Sequence, residues 1–338
     1  MSSSSRVGGS GEVADSGSGG GDRPRRDYRP GGVAREGSVF ATVKRTLKEY
    51  SEDNMSDWAA ALTYYGLLAL FPALIALVAL VGLVGNPTST TNQLLEIVGK
   101  LGPPSAQKTF EGPIKEITAH RSAAGILLIV GVLGSLYSAS SYVSAFSRAC
   151  NVIFETPEGR PFWKLKPQQM LVTLVTLILL ICVAGALVLT GPVVSAVASP
   201  LGVSGDTVSI WNIAKWPVLV VFMILMFTIL YYASPNVKMR GFRWVAPGAA
   251  FALVIWLVAS VAFAFYVANF GSYNKTYGSL GAAIALLVWV WLTNAALLLG
   301  AQLNAERERS AEIGEGIPRA ERELQMEPRS EPKTPNTT

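Results

Sequence analysis

The sequence predicts an all-α, polytopic membrane protein: a bundle of six transmembrane helices with both termini cytoplasmic. Three observations carry that expectation. Six long apolar runs, at about residues 59–84, 123–147, 170–198, 216–233, 244–268 and 280–303, contain no Asp, Glu, Lys, Arg or His. Each approaches or exceeds the roughly 20 residues that cross a hydrocarbon core about 30 Å thick. The composition is 50% hydrophobic and only 15% charged, with a mean hydropathy of +0.37, whereas soluble chains carry about 25% charged residues. Finally, the basic residues segregate. The N-terminal segment, the loops 148–168 and 234–243 and the C-terminal segment hold 22 Lys or Arg, against 6 in the intervening loops. The positive-inside rule then puts the basic side, with both termini, in the cytoplasm of an inner (plasma) membrane protein.

The elements follow in order. Residues 1–37 are rich in Gly and Ser and then in charge and Pro, a composition that predicts a disordered tail. Over 39–50, Val39, Phe40, Val43 and Leu47 share one helical face, with Lys44, Arg45 and Lys48 towards the other. That pattern fits a helix lying on the inner leaflet, or a plain extension of the first span. The membrane domain runs over 38–309. Its first span carries Pro72, whose missing N–H predicts a kink near mid-membrane. The loop 86–122 is long enough to hold two short helices on the outer face. Residues 171–189 (LVTLVTLILLICVAGALVL) are apolar all round, as a lipid-facing or bundle-buried helix must be. Residues 310–338, rich in Glu, Arg and Pro, predict a second disordered tail.

Catalytic chemistry finds few candidates. His120 is the lone histidine, and no HExxH, GxSxG, Walker loop or CxxC is present. No catalytic residue, cofactor or metal is expected. Glu155 and Glu158 are close in sequence, and pairing with Arg160 or Lys164 is their ordinary explanation. Cys150 and Cys182 read as buried, inert thiols. No basic stripe interleaves with aromatics, so the +5 net charge does not point to nucleic acid. Membrane lipids are the expected surroundings, together with a solute or lipid substrate of unknown identity. Polar residues inside the runs are more informative. Tyr64, Tyr65, Tyr137 and Tyr142 lie deeper than an interfacial belt requires, and Asn294 sits well inside the last run. Such groups most often serve helix packing. Pro72 with Tyr64 and Asn294 is the set that would line a cavity. The small-residue stripes Gly131, Ser135, Ala139 and Ala252, Ser260, Ala264, Ala268 read as contact faces and offer a route to oligomerisation.

Three blocks resemble the YihY/BrkB family of integral membrane proteins, historically labelled ribonuclease BN-like. The first is AAALTYYGLLALFPALIALVALVGLVG (59–85), with its Tyr pair and Phe-Pro. The second is SLYSASSYVSAFSRACNVIFETPEGRPFW (135–163), with Arg148, Asn151 and Arg160 in the family positions. The third, 231–306, carries the Pro-Asn, Pro-Gly-Ala and Gly-Ala-x-Leu-Asn elements and the Tyr-Gly-Ser-Leu element beginning at Tyr277. The likeness spans about 39–309 and departs at Val237-Lys238-Met239-Arg240, where a denser basic cluster is expected. It implies six spans with cytoplasmic termini, and it brings no established molecular activity. The nuclease label finds no matching chemistry. Three functions stay open: transport or permeation of a solute or lipid, a non-catalytic envelope or assembly factor, and a membrane-bound enzyme.

Overall fold

Seven helices account for nearly all of the computed structural model, which describes residues 39–84, 124–188, 205–269 and 279–332. They are α1 (Val39–Glu52), α2 (Met55–Val84), α3 (Ala124–Ile153), α4 (Phe162–Val188), α5 (Gly205–Ala233), α6 (Phe242–Asn269) and α7 (Ser279–Gly314). No strand occurs among the described residues, only an isolated bridge between Val237 and Pro328. The N-terminal segment 1–38, the stretches 85–123 and 189–204 and Tyr277 lie outside the described residues.

The segment Asp53-Asn54 separates α1 from α2. Asn54 takes a left-handed φ of 52°, which Asn tolerates better than most residues because its short polar side chain bonds locally. Helix α1 is therefore an element of its own. It docks on α7, where Arg45 donates to Ser310 Oγ at 2.6 Å and lies 3.6 Å from Glu306. Phe40 and Leu47 remain exposed, as an interfacial face would.

Consecutive long helices pack on one another from α2 to α7, and α7 returns against α2 to close the set. The principal core lies at the end that carries the connections after α3 and α5. It joins Met55 and Leu62 of α2, Phe146 and Ile153 of α3, Tyr231 of α5, Val245 of α6 and Leu298 of α7. Phe146 stacks on Tyr142 and Tyr231 with ring centroids 6.4 and 6.1 Å apart. Elsewhere α6 and α7 touch backbone to backbone. A side chain at Gly248 would strike Asn304 and the Gly300 carbonyl, and one at Gly300 would strike the Gly248 carbonyl and the Tyr231 hydroxyl. This is the close approach that small residues allow between membrane helices. Of the small-residue faces expected from sequence, Ala139 and Ala252 are buried, whereas Gly131, Ala264 and Ala268 are exposed.

Helix α2 carries Pro72 within its length. Among the described residues, five helices are long and apolar enough to cross a membrane by length and composition: Met55–Ala76, Phe162–Leu187, Ile213–Ala233, Phe242–Asn269 and Ala283–Gly314. The second of these carries Lys164 and Lys166, and the last carries charges from Glu306 onward, so the helices extend past the charge-free runs. Cys150 is buried as expected, but Cys182 is exposed, because α4 turns that face away from the bundle.

The segment beyond 310 also departs from the disorder expected of it. Helix α7 continues to Gly314, and the chain then folds back with Ala320 and Leu324 buried. Lys238 N–H donates to Glu327 O at 2.8 Å, and Arg329 N–H donates to Asn236 O at 2.9 Å. Composition hid this because the charges find partners: Lys238 meets Glu327 at 2.6 Å, and Arg240 bridges Glu308 at 2.6 Å and pairs with Glu315.

Candidate functional site

Two polar regions share α3. The first is a clamp at its C-terminal end. Glu155 adopts a left-handed φ of 51° and ends the helix, with Thr156 N–H donating to Asn151 O at 2.9 Å. Arg309 of α7 holds the Glu155 carboxylate at 2.9 Å. The chain then turns so that Arg160 enters the space between α3, α4 and α5 with only 7% of its side chain exposed. Its guanidinium donates to both Glu158 oxygens at 2.7 and 2.8 Å, to Ser147 Oγ at 3.1 Å and to the Ser234 carbonyl at 2.7 Å. Asn151 ties the same knot, donating to Glu158 at 3.0 Å and accepting from Asn236 N–H at 2.7 Å. Asn236 in turn donates to Pro157 O at 2.9 Å and to Ser330 O at 2.8 Å. Burial alone would raise the Glu158 carboxyl, but hydrogen bonds and charge from Arg160, helped by Asn151, hold it below the usual carboxylate range. Glu158 therefore pairs with Arg160 as the sequence suggested, while Glu155 pairs with Arg309 instead.

The second region is a partly exposed polar track along one face of α3. Tyr137 (49% exposed), Ser141, Ser144 and Arg148 follow one another at steps of three or four, so they stack on one helical face, with Ser138 at its edge. Ser138 and Arg148 are exposed, and Ser141 and Ser144 are half-buried. Arg148 donates to Ser144 Oγ at 3.3 Å and lies 5.3 Å over the Tyr65 ring of α2. At the far end, Lys166 of α4 places its Nζ 4.1 Å over the Tyr137 ring. Both are cation–π geometries. Eleven residues at 1.5 Å rise put Tyr137 about 16 Å from Arg148 along the helix. Neither cation pairs with a carboxylate among the described residues.

The remaining candidates separate. Tyr64 is 60% exposed and packs edge-on against Tyr65 at 5.6 Å, whereas Asn294 is 2% exposed. Asn294 accepts from Tyr142 OH at 2.7 Å and donates to Thr63 Oγ1 at 3.2 Å. Tyr64 and Asn294 thus face different surroundings, one exposed and one buried. Trp256 of α6 and Trp289 of α7 pack against each other with centroids 6.2 Å apart. Sequence reasoning missed Lys166, Ser138, Ser141 and Ser144. The signal was present in the hydroxyls of SLYSASSYVSAFSR, but Lys166 had been counted with the loop. Only the packing of α4 on α3 brings it to Tyr137. Among the described residues no three His, Cys, Asp or Glu side chains gather in a group able to hold a metal ion.

An all-helical set with five membrane-length helices, their ends tied by buried polar residues, defines a multi-pass membrane protein. Residues 46–324 match the family described as virulence factor BrkB. The chain is 32% identical over 264 residues to the ribonuclease-like protein YfkH of Bacillus subtilis (strain 168), covering 78% of this chain and 94% of that one. It is 25% identical over 274 residues to a UPF0761 membrane protein of Alcanivorax borkumensis, covering 80% of this chain and 61% of that longer one. A UPF0761 membrane protein of Haemophilus influenzae strain Rd is 28% identical, with 80% and 95% covered. No solved structure matches. The chain belongs to the YihY/BrkB family of membrane proteins.

Proposed function

We propose that this chain is a six-span inner-membrane protein, with both termini cytoplasmic, that conducts a polar or amphipathic cargo, a solute or a lipid. The partly exposed polar track on α3 carries this reading. A row of hydroxyls with a cation at each end is costly against lipid, and ionisable groups within membrane segments generally mark a cargo pathway. A role confined to packing would bury those groups, as Asn294 is buried. The reading assigns no catalytic step to any residue. An assembly or scaffold role is the second reading, favoured by the fully bonded Tyr142–Asn294–Thr63 contact in the core.

The test is cysteine labelling in a background with Cys150 and Cys182 replaced by alanine. A membrane-impermeant maleimide should label Ser141→Cys in membrane vesicles and spare Val261→Cys, which faces outward on apolar α6. Equal labelling of the two would remove the pathway. For topology, reporters fused after Arg160 and Arg240 should read cytoplasmic, and those after Pro104, Asp206 and Lys275 external. An external reading at Arg240 would remove the six-span arrangement.

A further inference from the structure

The track has a chemical preference of its own. Its cations, Arg148 and Lys166, stand at its two ends, and the hydroxyls of Ser138, Ser141 and Ser144 lie between them. The nearby carboxylates are engaged elsewhere, Glu158 by Arg160 and Glu155 by Arg309. The aromatic faces that could receive a quaternary ammonium are also occupied, Tyr65 by Arg148 and Tyr137 by Lys166. A zwitterionic choline headgroup would therefore find its cation unmatched. A phosphate oxyanion would find a planar guanidinium fork, an ammonium and hydroxyl donors.

We propose that this track binds a phosphate-bearing anionic group, with Arg148 and Lys166 as its charged ligands and Ser141 and Ser144 as donors between them. The assignment rests on the reading of the track as a cargo path. The anion enters at Arg148, where the guanidinium is exposed, and Lys166 offers a second station deeper along α3. The same chemistry serves an anionic lipid headgroup or a soluble phosphate compound.

Binding is read on the purified full chain in nonionic detergent, doped with phosphatidylglycerol or phosphatidylcholine, by native mass spectrometry across a lipid titration. Phosphatidylglycerol should bind in preference to phosphatidylcholine. Arg148→Gln and Lys166→Gln should each weaken it by about tenfold. Lys166→Arg should retain binding, and so should Lys164→Gln, which removes an exposed cation off the track. Displacement of the lipid by inorganic phosphate, with the same dependence on both residues, would place the source among soluble phosphates. Resistance to phosphate would place it in the membrane. Equal binding of the two lipids, or phosphatidylglycerol binding indifferent to both Gln variants, overturns the assignment. Should Arg148→Gln fail to fold, the Lys166 pair of variants decides alone. Ser141→Cys labelling separates the two levels: if labelling persists while anion preference is absent, the path stands without this ligand. If labelling is absent, the path itself is wrong.

Discussion

Arg160 and Arg148 stand twelve positions apart in the sequence, and the fold treats them in opposite ways. Arg160 is enclosed by Glu158, Ser147 and the Ser234 carbonyl, so its donors are committed. Arg148 is exposed, resting on the Tyr65 ring and one serine. Resemblance to a family pattern alone would rank the two arginines as equals. Their surroundings divide them into a structural tie and a group with donors left for a ligand.

The comparison can be broken most directly at Arg160. Arg160→Ala leaves Glu158 and the Ser234 carbonyl facing an empty buried space, and removing one partner of a buried pair typically costs about 3–5 kcal/mol. Folded, monodisperse protein in detergent should fall sharply. Survival at near wild-type yield would make the clamp dispensable. Gly300→Ala should come next, because the added methyl meets the Gly248 carbonyl and the Tyr231 hydroxyl. Overpacking of that kind costs about 1–3 kcal/mol, readable as a lower melting temperature. Truncation after Gly314 should cost a similar or smaller amount, since it exposes the surface under Leu324 and strips Ser330 from Asn236. Deleting residues 1–37 should by contrast leave the melting temperature nearly unchanged.

A pH titration sharpens the same contrast. The Glu158 carboxyl is held below its ordinary value in the folded protein. Its contribution is therefore complete above the unfolded carboxylate pKa of about 4.3 and is lost as pH falls through the lower folded value. Acid melting curves of Glu158→Gln should lack that component, and an unchanged acid limb would argue against the clamp. The smallest effect is expected at Arg148. Arg148→Ala should change stability by less than about 1 kcal/mol, as exposed charges do, while reducing cargo handling per folded molecule.

Much of the helical architecture was legible because an apolar run of membrane length admits few alternatives. Helix α1 was legible for the same kind of reason, since Val39, Phe40, Val43 and Leu47 repeat at helical spacing. Helix ends were less so: α4 begins at Phe162, its opening turn bonded to the Pro161 carbonyl, although Lys164 and Lys166 look like loop residues. Charge at a helix end does not stop a helix; it only marks where apolar surroundings give out. Asn294 stood out by its polar type inside an apolar run, and Asn151 and Arg160 by the family resemblance, but the long-range partners Tyr142, Thr63, Asn236 and the Ser234 carbonyl are named by no local pattern. The C-terminal segment was misjudged because composition counts charges without pairing them, and Glu327 and Arg329 owe their order to residues around 232–238.

That C-terminal segment also sets an order in time. Asn236 and Gly159 are made first, and Ser330, which accepts from one and donates to the other at 2.8 and 2.9 Å, is translated well after both. Chains of this size acquire structure during synthesis from the N-terminal side. The helices can therefore assemble while the ribosome is still attached, with the two connecting loops unsealed. Only a chain extended through Ser330 carries this latch, so a product terminated before it would present open loops on the basic side.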